Sequence, residues 1–328
     1  MDTDTFDAID WALLESLSYA PRAPFNMLAD VLGTSDQTIA RRYRRLREMA
    51  ALRVSGRLDI GRLGATRWFV RLQCMPDVAS GVASALASRH DTSWVHLVSG
   101  GTEVTCVVRT MTGDDATLFD RLSNSRRVTS ITAHAMLHEF SPHVWPGMSG
   151  HLTEDQLAAL KPQTVAVDRT STGTGTGAPE VAEPDLAMVA MLGKDGRAPM
   201  AALAAAAGCS EAAARRRLLR LQEAGQLYFE VDVSNTALGL PLHTHLWISV
   251  LPSELAQVGS LLAAEPCVPF VGATTGPANL MASVLAASPE SLYQFLTHTV
   301  AGHSGIVRFE TAPIMKTFKR HGPDVALA

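Results

Sequence analysis

The chain repeats itself at one fixed offset. Asp10 returns 175 residues later as Asp185, Arg22-Ala23-Pro24 as Arg197-Ala198-Pro199, and Leu28-Ala29 as Leu203-Ala204. Gly33 and Ser35 return as Gly208 and Ser210, Arg41-Arg42 as Arg216-Arg217, and Arg45-Leu46 as Arg220-Leu221. Leu63-Gly64 falls on Leu238-Gly239, and Gly101 on Gly276. A constant shift held from Asp10 to Gly101 marks a tandem duplication. Whatever the first half folds into, the second half must fold into as well.

Each copy opens with three short helices. Asp7 and Asp10 start the first, with Leu13, Leu14 and Leu17 on its apolar side. Pro21 and Pro24 break it, and residues 25–32 form the second helix, stopped by Gly33. The third begins at Thr34-Ser35, whose hydroxyls can cap a first turn, and runs to about Ala50. Its apolar stripe is Ile39, Tyr43 and Leu46 at i, i+4 and i+7. Opposite lie Gln37, Arg41, Arg44 and Glu48, flanked by Thr38 and Arg45. Three helices with a Gly-containing turn before the last make a helix-turn-helix, and Leu52–Ile60 alternates as a strand behind it. A polar first turn followed by guanidinium groups suits a helix entering the DNA major groove.

The second part of each copy reads strand, helix, strand, strand, helix, strand. In the first copy these are 67–75, 77–89, 94–98, 104–108, 116–125 and 128–140. Ser99-Gly100-Gly101-Thr102-Glu103 is the hairpin turn at its centre. In the second copy, 245–250 is a strand, Ser253 starts a helix, and strands 268–273 and 280–285 flank Thr274–Asn279. A helix begins at Ser288-Pro289, and 306–314 is the last strand. This order is the split β-α-β of a ferredoxin-like domain. Between the copies, Thr153 and Gln156 are placed as a capping box, and the Ser/Thr/Gly run 171–177 reads as a flexible linker.

The fold class is therefore α+β. It comprises a winged-helix-like helix-turn-helix (1–64), a ferredoxin-like domain (65–141), a linker (142–184), and the same pair again (185–240, 241–328). Apolar content of 47% and charged content of 18% fit a globular chain. With a net charge of −4, nucleic-acid binding has to be local. Cys74, Cys106, Cys209 and Cys267 have no metal spacing and read as reduced thiols of a cytoplasmic protein. There is no signal-peptide pattern and no apolar run long enough to span a bilayer. No metal site, cofactor motif or catalytic pairing is legible. His134 and His138 sit four apart in a strand, and His243 and His245 share a strand face that could meet a ligand but is expected to look outward.

Taken together, these motifs resemble the Lrp/AsnC family of bacterial transcription regulators. The Asp of helix one, Asp195-Gly196-Arg197, Leu-Ala in helix two, Gly-x-Ser, Arg-Arg-x-x-Arg-Leu and the closing Leu-Gly all stand in order, and most stand twice. The resemblance implies binding to double-stranded DNA through the helix-turn-helix units, with Ser35, Gln37, Thr38, Arg41, Arg44, Arg45, Ser210, Arg216 and Arg220 as contacts. It also implies ferredoxin-like domains paired through their sheets, in homo-oligomers, with a small-molecule effector, an amino acid or another metabolite, at the pairing interface. The central turns would line that site: Ser99, Gly100, Gly101, Thr102 and Glu103 in one copy, Thr274, Thr275, Gly276 and Asn279 in the other. The pairing can be between the two halves of one chain or between chains.

The copies are unequal where it matters for DNA. Ala212, Ala213, Arg216 and Leu219 stand where the first copy has Gln37, Thr38, Arg41 and Arg44. The first unit is expected to read bases and the second to contribute phosphate contacts or pairing. Arg42 and Arg217, at the edge of the apolar stripe, are expected to anchor their helices to an acidic side chain or a carbonyl. Two rival readings stand beside this one. A sirohaem-decarboxylase-like enzyme shares the architecture, and a partial match lies at Arg22–Phe25 and Leu52–Arg57. An assembly partner that no longer reads DNA is the other.

Overall fold

A computed structural model describes residues 6–49, 51–59, 61–63, 65–111, 128–160 and 181–320. The helix expected over 116–125 and the run 171–177 fall outside these residues. In chain order the first half gives α1 (Ala8–Tyr19), α2 (Phe25–Leu32), α3 (Asp36–Glu48), β1 (Leu52–Leu58), β2 (Ala65–Cys74), α4 (Pro76–Ser88), β3 (Thr92–Val98), β4 (Glu103–Met111) and β5 (Val128–Glu139). A short α5 (Glu154–Leu160) follows. The second half gives α6 (Glu183–Lys194), α7 (Met200–Ala206), α8 (Glu211–Glu223), β6 (Leu227–Val233), β7 (Leu242–Val250), α9 (Leu255–Ala263), β8 (Phe270–Thr274), β9 (Leu280–Ala286), α10 (Pro289–Gln294) and β10 (Ile306–Lys319). The described residues form two compact units.

One unit contains both helix-turn-helix segments and residues 142–160. Local chemistry sets its helix boundaries. Asp7 caps α1, accepting from the Ile9 and Asp10 N–H groups at 3.0 Å each. Gly33, at φ 62°, ends α2, a left-handed conformation that a β-carbon would disfavour. Ser35 caps α3 by accepting from the Thr38 N–H at 3.2 Å, and Ser210 caps α8 in the same way from Ala213 at 3.3 Å. The stripes then do what amphipathic helices do: Leu13, Leu17, Leu28, Ile39 and Leu46 are wholly buried in one core.

The two copies are joined by a seven-residue antiparallel ladder between β1 and β6. Its centre pairs Ser55 with Glu230, which hold the same place in the repeat, so the ladder is a local two-fold axis. Arg22 donates to the carbonyls of Gly196 and Ala198, and Arg197 donates to those of Pro21 and Ala23 at 2.6 and 2.7 Å. Each arginine thus ties its own copy to the other. Residues 142–160 pack on α1 and α2 of the first copy. The buried Glu15 carboxylate accepts from the Gly150 and His151 N–H groups at 3.2 and 2.6 Å, and Trp11 stacks on His151 with ring centroids 4.9 Å apart. The Thr153–Gln156 capping box forms in both directions.

The second unit is a closed barrel of eight strands in the order β10-β3-β4-β2-β5-β8-β9-β7. Each half supplies a four-stranded antiparallel sheet, and the last strand of each pairs with the second strand of the other: β5 with β8, and β10 with β3. Closure of this kind leaves no sheet edge. It also lengthens the last strand beyond the Ile314 expected from sequence. β10 runs beside β7 as far as Pro313, then continues to Lys319 along β3. One face of each sheet is covered by its helix. Ala79, Ala83 and Leu86 of α4 pack on Val70, Leu72 and Cys106, and Val258 and Leu262 of α9 pack on Leu246 and Leu280. Ser253 does not cap α9; Glu254 holds that position and makes no side-chain cap bond. The other faces meet across the barrel, as the contact of Phe69 with Trp247 and Phe270 shows.

Candidate nucleic-acid interface and effector turns

The arginines of α3 divide into those held by the protein and those left to solvent. Asp10, wholly buried, receives Arg42 at 2.9 Å and also Arg45. Arg42 reaches Asp7 as well, at 2.7 Å. The second copy repeats the arrangement, with Arg217 at 3.0 Å and Arg220 both on buried Asp185. A buried carboxylate needs such partners, and two guanidinium groups per carboxylate fix the roll of each third helix about its own axis. Arg42 and Arg217 therefore anchor their helices, as expected. Arg45 and Arg220 correct the expectation: each is engaged by the first-helix aspartate, because a position one turn beyond Arg42 still faces that carboxylate. Each is tied to that carboxylate through one nitrogen, while about two-fifths of its side chain remains exposed.

Arg41 and Arg44 are exposed and have no ion-pair partner among the described residues. Gln37 is exposed beside them, and Thr38 is half-buried, its hydroxyl 2.9 Å from that of the Ser35 cap. In α8, Arg216 and Arg215 are exposed, Ala212 and Ala213 occupy the first turn, and Leu219 is 47% exposed in the place of Arg44. The ladder and the Arg22/Arg197 exchange carry α3 and α8 as one body. The double occurrence of Arg-Ala-Pro was the only sequence signal for that exchange.

The two central turns differ in chemistry. In the first, Ser99 (φ 54°), Gly100 (φ 73°) and Gly101 (φ 87°) are all left-handed. Ser99 donates to Glu103 at 2.9 Å, and Thr102 donates to the Ser99 carbonyl at 3.0 Å. Glu103 is buried and bound to Arg71, which also binds Glu310 of the other half and lies over the Trp247 ring at 5.0 Å. Hydrogen bonds and charge from Glu310 and Glu103 outweigh burial and hold the Arg71 guanidinium more firmly protonated than usual. Glu103 is accordingly not free to receive an ammonium group. In the second turn, Thr274 is buried and donates to the Ala278 carbonyl at 2.9 Å, and Thr275 accepts from the Ala135 N–H at 2.9 Å. Asn279 is also corrected: its amide closes a two-bond clamp on Val250, at 2.8 and 2.9 Å, and is part of the fold. Gly276 (φ 100°) approaches His134 so closely that a β-carbon would lie 2.4 Å from Nδ1.

His243 and His245 do not look outward. His245 is buried and His243 half-buried beside buried His96, in a trio whose ring centroids lie 5.3 to 5.8 Å apart. His96 meets Thr317 at 3.0 Å, His245 meets Thr105 at 3.4 Å, and His243 meets Ser283 at 2.5 Å. Burial, reinforced by His243 and by Arg320, lowers His96 to about 3; burial and Arg320 lower His243 to about 4. His245 is lowered well below the ordinary value by burial, His96, His243 and Arg71. Strand alternation put the two β7 histidines on one face, but sheet pairing made that face interior. Among the described residues no group of three or more His, Cys, Asp or Glu is placed to hold a metal ion, and no helix is long and apolar enough to cross a membrane.

Known proteins resemble the chain in both sequence and fold. The AsnC-type helix-turn-helix domain matches residues 6–47 and 183–222, and the Lrp/AsnC ligand binding domain matches residues 245–324. The HTH-type transcriptional regulator FL11 of Pyrococcus horikoshii is 26% identical over 138 residues, covering 42% of this chain and 91% of that protein. The protein of the same name from Pyrococcus abyssi is 28% identical over the same length, with the same coverage. The crystal structure of the siroheme decarboxylase NirDL covers 96% of this chain and 93% of its own at a TM-score of 0.65. Its 13% identity speaks for a shared fold alone.

Proposed function

Because the chain is a two-copy member of the Lrp/AsnC family, with two AsnC-type helix-turn-helix domains and an Lrp/AsnC ligand binding domain, we propose that it is a sequence-specific DNA-binding transcription regulator tuned by a small metabolite. The observation that carries this reading is the division of arginines. Two in each third helix are tied to a buried aspartate, and Arg41, Arg44 and Arg216 are left exposed on the helices so fixed. An anchored helix with free guanidinium groups is what a groove-entering element needs. Retention of the full chain on duplex DNA, falling steeply with salt, tests it. Arg41→Ala with Arg44→Ala should abolish specific retention while leaving the fold intact. Unchanged retention in that double variant would count against the assignment.

The effector reading rests on the paired sheets and their turns. Glu103 and Asn279 are engaged, and so are the hydroxyls of Ser99, Thr102, Thr274 and Thr275, so a ligand would be met mainly by the backbone of Gly100, Gly101 and Gly276. A thermal-shift screen with amino acids and related metabolites tests this: a cognate ligand raises Tm with concentration as mass action requires, and bystanders do not. A homo-oligomer assembled from such paired halves is the form this reading expects, and the mass of the full chain in solution measures it.

A second reading is favoured by one observation, the imidazole trio, whose buried His96 Nε2 has no hydrogen-bond partner. A buried imidazole nitrogen without a partner is a group a bound molecule could engage, and the fold is shared with the siroheme decarboxylase NirDL. Titration with sirohaem separates the two. A change in the tetrapyrrole absorbance that disappears in His96→Ala supports the enzyme, and an unaltered spectrum leaves the regulator.

A further inference from the structure

Resting on the DNA-binding reading, we infer that one chain recognises an operator of two unlike half-sites, one read base by base under α3 and the other held mainly by its phosphates under α8. The scaffold presents both helices alike. Both start on a serine cap, and both are anchored by two arginines to a buried aspartate. They are related by the local two-fold of the β1–β6 ladder, so they address inverted half-sites. A homodimer of identical halves would read two equal sequences. Here the symmetry is in the backbone and the chemistry on it is not.

The difference is concentrated where base edges are met. Gln37 can pair with adenine through two hydrogen bonds and Arg44 with guanine, whereas Arg41 is matched in the second copy by Arg216. Across the two-fold, Ala212 and Ala213 offer only methyl groups, and Leu219, 47% exposed, has no donor for either base or phosphate. Arg216, in the place of Arg41, and Arg215, in the place of Ala40, supply the positive charge that holds a phosphate backbone. The second half-site thus retains attraction and loses discrimination.

Selection of bound sequences from a random duplex pool by the full chain, at fixed salt, tests the inference. The expected operator carries its information in one half. Single-base changes there should weaken binding on the order of 10-fold or more, and changes in the other half less than about 3-fold. Arg216→Ala should weaken all sequences evenly and lower the salt slope by about 1. Grafting the first face onto the second, with Ala212→Gln, Ala213→Thr and Leu219→Arg, should make the tolerant half-site selective. Two equally informative half-sites, or a graft that leaves the tolerant half as it was, overturns the inference. No retention of any duplex at low salt is a different result, which overturns the DNA-binding reading beneath it.

Discussion

Asp10 illustrates how much one side chain decides here. Its carboxylate has no access to water, so its charge is compensated by Arg42 and Arg45 or not at all. Asp10→Ala would leave Arg45 without its carboxylate and Arg42 with Asp7 alone. The expected loss is about 2–3 kcal/mol, below the full value of a wholly buried pair because Arg45 stays half-exposed. Urea denaturation measures it, and Arg41→Ala, with no partner to lose, should change stability by less than about 0.5 kcal/mol. Asn279 makes a similar case on the ligand-binding side. If its amide serves Val250, Asn279→Ala costs about 1–2 kcal/mol and leaves effector affinity unchanged apart from that stability loss. A selective loss of affinity at full stability would return Asn279 to the ligand site. Neither partnership was legible in the sequence. The Asp-to-arginine spacing was visible in both copies, but only the packing of α1 against α3 shows that a second arginine, Arg45, reaches the same carboxylate.

Among the elements, the paired wings depend on close approach. Gly196 donates its N–H to the Val54 carbonyl at 2.8 Å, and a β-carbon there would fall 2.8 to 2.9 Å from Val54 and from the Ser55 backbone. Gly196→Ala should therefore pry the second copy's turn from β1. Arg197→Met should remove two charged hydrogen bonds to Pro21 and Ala23, costing about 2–3 kcal/mol. Both variants should lower the cooperativity of unfolding of the helix-turn-helix pair, read as a broadened or split calorimetric transition. A single sharp transition at unchanged Tm would mean that the ladder alone joins the copies. The sequence marked Asp-Gly-Arg as a motif without saying what it holds. The reason is that its partners lie some 175 residues away, beyond any local periodicity.

At the scale of the molecule, the histidine trio makes barrel closure sensitive to acid. In the unfolded chain these imidazoles titrate near 6.5, whereas in the fold His243 and His96 do so at about 4 and about 3. Between those values the unfolded chain binds more protons, so stability is full above pH ~6.5 and falls as the pH is lowered. The charged groups facing the trio are Arg320 and Arg71, neither of which can compensate an imidazolium. Denaturation midpoints measured from pH 7 to pH 5, where carboxylates remain ionised, should fall steadily, and more shallowly in His243→Gln. A flat profile would place the trio in contact with water. The duplication, the serine starts of the two third helices and the succession of strands along each copy were legible in the sequence alone, because caps, periodicity and repeats are local properties. The tertiary structure decided the rest. It chose pairing within one chain, turned the β7 histidines inward, engaged Glu103 and Asn279, and carried β10 from one sheet to the next. Each of these depends on which distant strand or carboxylate a residue meets, and that is fixed only when the two copies fold against each other.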